Sequence, residues 1–490
     1  MKNILKINEK DNVALAIKPL AKGGQFGDLI AVNDIPLGHK IALKDIYKGE
    51  SVIKYGFSIG RASENIKKGE WVHSHNLKSA IEESGEYTYN YEFSDEYKYE
   101  EKIPTFRGYA RENGSVGIRN EIWILPLVGC ANKTAEILCK KANEAYGSLC
   151  DGFFTFTHPY GCSQLGDDHK NTQKILAGLA MHPNACGILL LSLGCENNNL
   201  ESFLPVIGDC GRNIRTLVMQ NCCDEIEEGL KILFELAQIA SFQQRVEVSA
   251  DKLVIGFKCG GSDAFSGITA NPLCGRVTDM LTSFGGRAIL TEVPEMFGAE
   301  TILMNRARDR GVFNEIVGMI NGFKDYFVRY KQAVYENPSP GNKDGGITTL
   351  EEKSIGCIQK GGNAQVSSVL RYGELCSKSG LSLLTGPGND IVSCTNLAAS
   401  GAQIILFTTG RGTPLGAPVP TIKIASNSGL ARRKANWIDY NAGEILEGKS
   451  FNTAAAELSD LILATANGRQ TKNEINGYRE IAIFKDGVTL

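Results

Sequence analysis

Gly187-Ile-Leu-Leu-Leu-Ser-Leu193, followed at once by Gly194-Cys-Glu-Asn197, is the stretch that decides the fold class. The apolar run is too short to cross a membrane, and it lacks the alternation of a half-exposed strand. It reads as a strand covered on both faces, the signature of a parallel sheet. The same grammar recurs on either side. Ile122-Trp-Ile-Leu-Pro-Leu-Val128 leads to Gly129-Cys130, and Gly152-Phe-Phe-Thr-Phe156 leads to His158-Pro-Tyr-Gly-Cys162. Leu253-Val-Ile-Gly-Phe257 leads to Cys259-Gly-Gly-Ser-Asp263, Ala288-Ile-Leu290 to Glu292 and Glu295, and Ile404-Ile-Leu-Phe407 to Gly410-Arg411-Gly-Thr413. Amphipathic stretches lie between. Asp167-Asp168 opens one with Thr172, Ile175, Leu176 and Leu179 on a face, and Asp224 opens another with Ile226, Leu230, Leu233 and Leu236. Residues 106–490 therefore read as an α/β body with a largely parallel sheet, divided at a polar stretch into 106–247 and 248–490.

Upstream the pattern changes. Residues 1–80 carry short apolar pieces between glycine turns: Asn12 to Ile17, Ile41 to Leu43, Val52 to Tyr55 and Trp71 to His75. They predict a small all-β domain. Residues 81–105 are acidic and rich in tyrosine, and read as a linker over the surface with its tyrosines partly packed.

Composition narrows the function. The 490 residues hold 52 Lys and Arg against 55 Asp and Glu, so no basic excess exists to neutralise a nucleic-acid backbone. No apolar run approaches the roughly 18 residues of a membrane span. Met1 to Lys10 has no apolar core of a signal peptide, which predicts a cytoplasmic protein. Fourteen cysteines occur without a Cys-x-x-Cys pair, and read as reduced thiols. Gly410 to Gly416 departs from the dinucleotide fingerprint, and no phosphate loop is present.

In open α/β sheets ligands bind beyond the carboxyl ends of the strands, where the glycine- and cysteine-rich clusters fall. Cys130, Cys162, Cys195 and Cys259 hold equivalent strand-end positions. Each is either a small turn residue or a ligand for a soft or borderline metal. His73 and His75 would share one face of a strand, as a metal pair or as contacts to an acidic substrate. His39 and Lys40 sit in a turn after Gly38; His158 follows a strand; Asn337 to Glu351, with Asn342 and Lys343, is a polar loop entering a helix. Arg411 offers a bidentate donor for a carboxylate.

The longest of these segments carry a resemblance. Gly38-His-Lys40, Ile53-Lys-Tyr-Gly56 and Val72-His-Ser-His-Asn76 resemble a SAF domain, a small β-clip fold. Gly114 to Asn120, Tyr160 to His169, Leu193 to Asn198, Cys259 to Asp263, Ser266 to Pro272, Thr291 to Glu300, Asn337 to Leu350, Pro387 to Asp390, Thr409 to Thr413 and Ala482 to Leu490 resemble, in order, the altronate/galactarate dehydratase family. The resemblance implies a hydro-lyase that takes water from D-altronate to give 2-dehydro-3-deoxy-D-gluconate in galacturonate breakdown, with Fe²⁺ or Mn²⁺. Galactarate is the rival substrate. An iron–sulfur redox protein and a non-catalytic sugar-acid binding protein are the rivals of other classes. The partner implied is a small sugar acid, with no nucleic acid or membrane, and a homo-oligomer is compatible with the sequence.

For that reaction a base removes the C2 proton, an acid protonates the departing C3 hydroxyl, and a cation offsets the charge that develops beside the carboxylate. The expected acid and base are His39, His158 or Glu292, with Glu295 and Glu196 as carboxylate alternatives. Lys40, Arg411, Asn342 and Lys343 are expected to hold substrate. His73 and His75 are the expected metal ligands, and Cys162, Cys195 and Cys259 the rival set. The site is expected between the small domain and the body.

Overall fold

A computed structural model describes residues 3–81, 85–92 and 103–490. Most of the proposed linker (82–84 and 93–102) lies outside the described residues. Tyr87 and Tyr89 are within them and pack on the body, their hydroxyls donating to Glu300 Oε1 (2.7 Å) and to the Ala307 carbonyl (2.7 Å).

The N-terminal module is built from short antiparallel strands. One sheet orders Ile4–Leu5, Val13–Ala16, Lys40–Ala42 and Trp71–Val72; another joins Ser51–Lys54, Phe57–Ala62 and Leu77–Lys78. The strand expected through His75 ends at Val72. Asn76 turns the chain there: its Oδ1 accepts the His73 amide (2.9 Å) and its Nδ2 donates to the Trp71 carbonyl (2.9 Å). His73 and His75 therefore lie in a turn and do not alternate along one strand.

The body carries two parallel sheets. The first orders Phe153–Thr155, Glu121–Pro126, Ala185–Ser192 and Asn213–Val218. Ala185–Ser192 is buried along its whole length, because helices Asn132–Tyr146 and Glu225–Ser241 cover one face of the sheet while Gly166–Ala180 lies across the other. Asp224 caps the second of these helices by accepting the Ile226 and Glu227 amides, which fixes its start. The second sheet has seven strands in the order Val366–Leu370, Gly380–Leu384, Arg287–Leu290, Val254–Cys259, Ile404–Thr409, Thr421–Ala425 and Tyr440–Asn441, parallel throughout. Its two central strands, Val254–Cys259 and Ile404–Thr409, are wholly buried. Thr105–Ala110 pairs with Val246–Ser249, so the chain ties the two halves of the body together before it enters the seven-stranded sheet. Among the described residues no helix is long and apolar enough to cross a membrane.

Two sheet edges and two interior strands were not anticipated. Asn213–Val218 has the half-exposed pattern of an edge, and Val366–Leu370 and Gly380–Leu384 carry serines that bond across the sheet (Ser368 Oγ to Ser382 Oγ, 2.8 Å). Thr421–Ala425 buries Lys423, whose ammonium donates to the Thr413 carbonyl (2.7 Å).

Candidate active site

The carboxyl ends of the neighbouring strands Val254–Cys259 and Arg287–Leu290 place Lys258, Cys259 and Glu292 side by side. Glu292 has a left-handed backbone, φ +74°, which is costly for a residue with a β-carbon and holds the carboxylate over the strand end. Its Oε2 accepts the Cys259 amide (3.0 Å), its Oε1 pairs with Lys258, and Lys360 approaches at 3.4 Å. One turn further on, Glu295 Oε2 accepts from two thiols, Cys259 Sγ (3.1 Å) and Cys357 Sγ (3.0 Å). The two sulfurs are 3.3 Å apart. Glu295 Oε1 pairs with Lys353 (2.7 Å), and Asp390 meets Lys258 (2.9 Å). All of these groups except Asp390 are buried.

Charge explains how such a group survives burial. Three ammonium groups (Lys258, Lys353, Lys360) face three carboxylates (Glu292, Glu295, Asp390). Burial works against charge on the three lysines and on Glu292 and Glu295. For the lysines it is outweighed by the carboxylates, and at Lys360 first by Cys259 and Cys357, which hold Lys258 and Lys360 well above the ordinary lysine range and raise Lys353 as well. Glu295 is held below the usual carboxylate range because Lys353, Lys258 and Lys360 outweigh its burial. Glu292 goes the other way, raised by burial and by the neighbouring Glu295. The Cys357 thiol is pushed well up by its contact with Cys259 and by burial.

Cys259, Glu295 and Cys357 offer three ligand atoms within 4.8 Å of one another, the group of that kind among the described residues. A divalent ion that displaced the two thiol protons would add two positive charges and create two negative ones, leaving the balance of the pocket unchanged. The donor set therefore fits a metal. Two thiolates and one carboxylate suit Fe²⁺ better than Mn²⁺, which prefers oxygen.

The helix Leu350–Ile358 connects this centre to the N-terminal module. Lys353 and Cys357, four residues apart, face the centre. Glu352 faces the module and takes both its buried lysines, Lys40 (2.8 Å) and Lys54 (2.7 Å). One carboxylate cannot fully hold two buried ammoniums. Burial, with Lys54 adding to it, brings Lys40 down to about 8, while Glu352 outweighs burial at Lys54 and raises it. Glu352 itself is brought down to about 2, its two lysines outweighing its burial. Close contact of the two bodies requires glycine at 346: φ is +95°, and a β-carbon there would lie 2.1 Å from the Gly38 carbonyl oxygen.

Each expected residue now has a place. Lys40 also donates to the Gly346 carbonyl (2.8 Å) and to Thr348 Oγ1 (2.7 Å), so its ammonium is committed to the seam between module and body. Thr348 Oγ1 meets His73 Nδ1 at 3.1 Å. His39 accepts from Trp71 Nε1 (3.2 Å) and has Nε2 3.3 Å from the Asp344 carbonyl; its ring lies 4.8 Å from that of His73. Burial lowers both imidazoles, His73 to about 4 with Lys40 adding to the effect. His75 is exposed against the Trp71 ring (5.1 Å). Asn342 is buried as a turn former, donating to the Ser262 carbonyl (2.8 Å) and bonded to Ser339, with the partly exposed Lys343 beside it. His158 is remote from this centre, on the four-stranded sheet, and both ring nitrogens meet backbone: Nε2 at 2.8 Å from the Pro126 carbonyl, Nδ1 accepting the Tyr160 amide (3.2 Å). Glu196 closes its own loop by accepting Ser192 Oγ (2.6 Å) and the Leu193 amide (3.0 Å). Cys162 and Cys195 are exposed on that same sheet, so the structure separates them from the buried Cys259. Cys357 and Lys353 were not singled out; they sit within a helix whose composition, Leu-Glu-Glu-Lys-Ser-Ile-Gly-Cys-Ile, looks like an ordinary surface helix.

A cleft of about 1480 Å³ opens between module and body, lined by Asp263, Asp344, Arg411, Asn427 and Arg433 among others. Asp263 also lines a cavity of about 10 Å³ against Lys353 and Cys357, room for one water at most. Asp263 Oδ1 accepts Ser266 and Ser426 hydroxyls, Oδ2 accepts Asn427 Nδ2 (3.0 Å), and burial raises its pKa. A raised carboxyl at the edge of a large cleft next to an arginine has the makings of a proton acceptor.

An all-β module docked on a parallel α/β body, with a buried thiol–carboxylate centre and a large cleft between module and body, has the layout of an enzyme able to hold a metal. The chain belongs to the altronate/galactarate dehydratase family: its models match as the Altronate/galactarate dehydratase SAF domain (residues 2–80), the D-galactarate dehydratase/Altronate hydrolase second domain (108–241) and the D-galactarate/Altronate dehydratase C-terminal domain (250–489). It is 48% identical to an altronate dehydratase of Bacillus subtilis over 100% of both chains, and 47% identical to one of Escherichia coli over 99% of both. It is 32% identical to the L-threo-forming galactarate dehydratase of Escherichia coli, over 98% of this chain and 96% of that one.

Proposed function

We propose that the protein dehydrates D-altronate to 2-dehydro-3-deoxy-D-gluconate. The observation that carries the chemistry is the buried convergence of Cys259, Glu295 and Cys357; the higher identity to altronate than to galactarate dehydratases supports the substrate. In this reading the three side chains hold Fe²⁺, which supplies Lewis-acid stabilisation of the charge that develops next to the substrate carboxylate. Arg411 binds the substrate from the cleft by its carboxylate. Asp263 Oδ2 takes the C2 proton. The C3 hydroxyl leaves as water, with its proton drawn from the seam, where His73 Nδ1, Thr348 Oγ1 and Lys40 Nζ are in sequence. The enol released tautomerises to the 2-keto acid. The small cavity beside Cys357 does not admit a six-carbon acid, so the reading requires the loop Asp344 to Ile347 or the module to shift as substrate enters.

The test is 2-keto-acid formation by metal-stripped protein to which Fe²⁺ is restored anaerobically, with D-altronate and galactarate in parallel. Product from altronate that depends on metal and on Cys357 supports the reading. Product from galactarate alone overturns the substrate, and metal-independent product overturns the centre.

A further inference from the structure

The cysteines of this protein are sorted by exposure in a way that the dehydratase reading leaves unused. Four of the fourteen are exposed: Cys130, Cys162, Cys195 and Cys223. Cysteine is among the most buried residue types, so an exposed thiol needs a reason. All four lie at one place in the fold. They follow, in turn, the strands Glu121–Pro126, Phe153–Thr155, Ala185–Ser192 and Asn213–Val218, which are the four parallel strands of one sheet. Every loop at the carboxyl edge of that sheet presents an exposed thiol, and this edge is the ligand-binding edge of a parallel α/β sheet.

Three of the loops are laced together at the cysteines. The Gly129 amide donates to the Tyr160 carbonyl (2.8 Å), the Asn198 amide to the Gly161 carbonyl (2.9 Å) and the Ser163 amide to Asn197 Oδ1 (2.9 Å). Asn198 Nδ2 reaches back to the Leu127 carbonyl (3.0 Å). The residues beside Cys130, Cys162 and Cys195 are thus bonded to one another. Gly161 is needed for the approach, since a β-carbon there would sit 2.1 Å from the Leu127 carbonyl oxygen. Two side chains in the same loops are buried with a polar atom that has no partner: Gln164 Nε2, at 3% exposure, and Asn198 Oδ1, at 0%. Buried polar atoms are nearly always satisfied, and an unsatisfied amide donor two residues along the loop from Cys162 points to an acceptor missing from the chain itself.

We propose that Cys130, Cys162 and Cys195 hold an iron–sulfur cluster, a second metal site separate from the Cys259 centre. Thiolates are the ligands such clusters use, and hydrogen bonds to the cluster sulfides are part of their binding, a role open to Gln164 Nε2. Three thiolates leave one iron of a four-iron cluster to a ligand other than cysteine. A single tetrahedral ion is a poorer fit, because these three sulfurs are not among the groups that converge within 4.8 Å, and zinc sites are built on Cys-x₂₋₄-Cys pairs, a spacing this sequence lacks.

The test uses the full chain, purified without oxygen and incubated anaerobically with Fe³⁺, a thiol reductant that brings part of the iron to Fe²⁺, and sulfide. Iron and acid-labile sulfide are measured after desalting, with the visible absorption spectrum. The wild type is expected to retain both elements and a broad visible absorption. Cys130→Ser, Cys162→Ser and Cys195→Ser should each lose the sulfide and the colour, while Cys357→Ser, at the other centre, keeps them. The exposed positions make the serine variants structurally mild, and unchanged thermal melting of the metal-free variants shows that loss is not unfolding. No retained sulfide, iron or zinc bound without sulfide, or sulfide that persists in the triple serine variant would each overturn the assignment.

Discussion

Glu352 and Lys353 are consecutive residues of one buried helix and serve opposite sides of it. Glu352 anchors Lys40 and Lys54 of the N-terminal module, at 2.8 and 2.7 Å; Lys353 holds Glu295 of the thiol–carboxylate centre, at 2.7 Å. The docking of the module and the electrostatics of the centre are therefore fixed by the same turn of helix. Removing one partner of a buried ion pair strands the other charge and costs about 3–5 kcal/mol. Glu352→Gln should lower stability by that order in chemical denaturation, more than Glu444→Gln, whose partner Lys449 is partly exposed. Equal, small losses in both would contradict the anchoring role.

The same carboxylate sets an acid limit. Its folded pKa is about 2, depressed from 4.5 by Lys40 and Lys54 against its burial. Between those values the unfolded chain binds a proton that the folded chain does not, so stability is fully present above pH 4.5 and falls as pH drops toward 2. The group contributes about 3 kcal/mol across that window, from a shift of roughly two and a half pH units. Denaturation midpoints measured from pH 5 to pH 2 should fall less steeply in Glu352→Gln than in the wild type. Parallel curves would refute the assignment.

Iron binding at Cys259 and Cys357 should expel their thiol protons. Titration of metal-free protein with Fe²⁺ in weak buffer should release about two protons per ion bound, and Cys357→Ser should release about one and bind more weakly. The titration is made on Cys130→Ser/Cys162→Ser/Cys195→Ser protein, which isolates this centre. Binding with no proton release would mean that the ion sits elsewhere.

Asp263 and Arg411 divide the work in the cleft and should separate kinetically. Asp263→Asn removes the proton acceptor and should lower kcat by about 10²–10⁴ with KM little changed. Arg411→Lys keeps the charge but loses the fork, and should chiefly raise KM, by about tenfold for a loss near 1.4 kcal/mol. Arg411→Lys with unaltered KM would remove the arginine from substrate binding.

His158 gives a prediction of the opposite kind. Its ring bonds only backbone, so His158→Ala leaves the Pro126 carbonyl and Tyr160 amide unpaired and should cost about 1–3 kcal/mol of stability. The kcat of the folded variant should match the wild type. A kcat loss without destabilisation would return His158 to the reaction.

Much of this architecture is legible in the sequence because fully buried parallel strands leave unbroken apolar runs; Ala185–Ser192, Val254–Cys259 and Ile404–Thr409 announce themselves that way. Asn213–Val218 and Thr421–Ala425 do not, since an exposed edge and a buried lysine each interrupt the pattern. Within the site, Cys259, Glu292, Glu295 and Arg411 stand at strand ends, where position alone makes them candidates. Lys353 and Cys357 are hidden, because a helix buried on every side keeps the charged composition of a surface helix when each charge meets a partner. His73 and His75 mislead for a local reason: the Asn76 side chain bends the chain two residues before the alternation would pair them.

The central claim is tested most directly by measuring 2-keto-acid production from D-altronate by the metal-stripped protein, before and after anaerobic Fe²⁺, beside Glu295→Gln. The account predicts activity that appears with iron in the wild type and is lost in the variant while its fold is retained. Full activity in metal-stripped protein, or in Glu295→Gln, would contradict it.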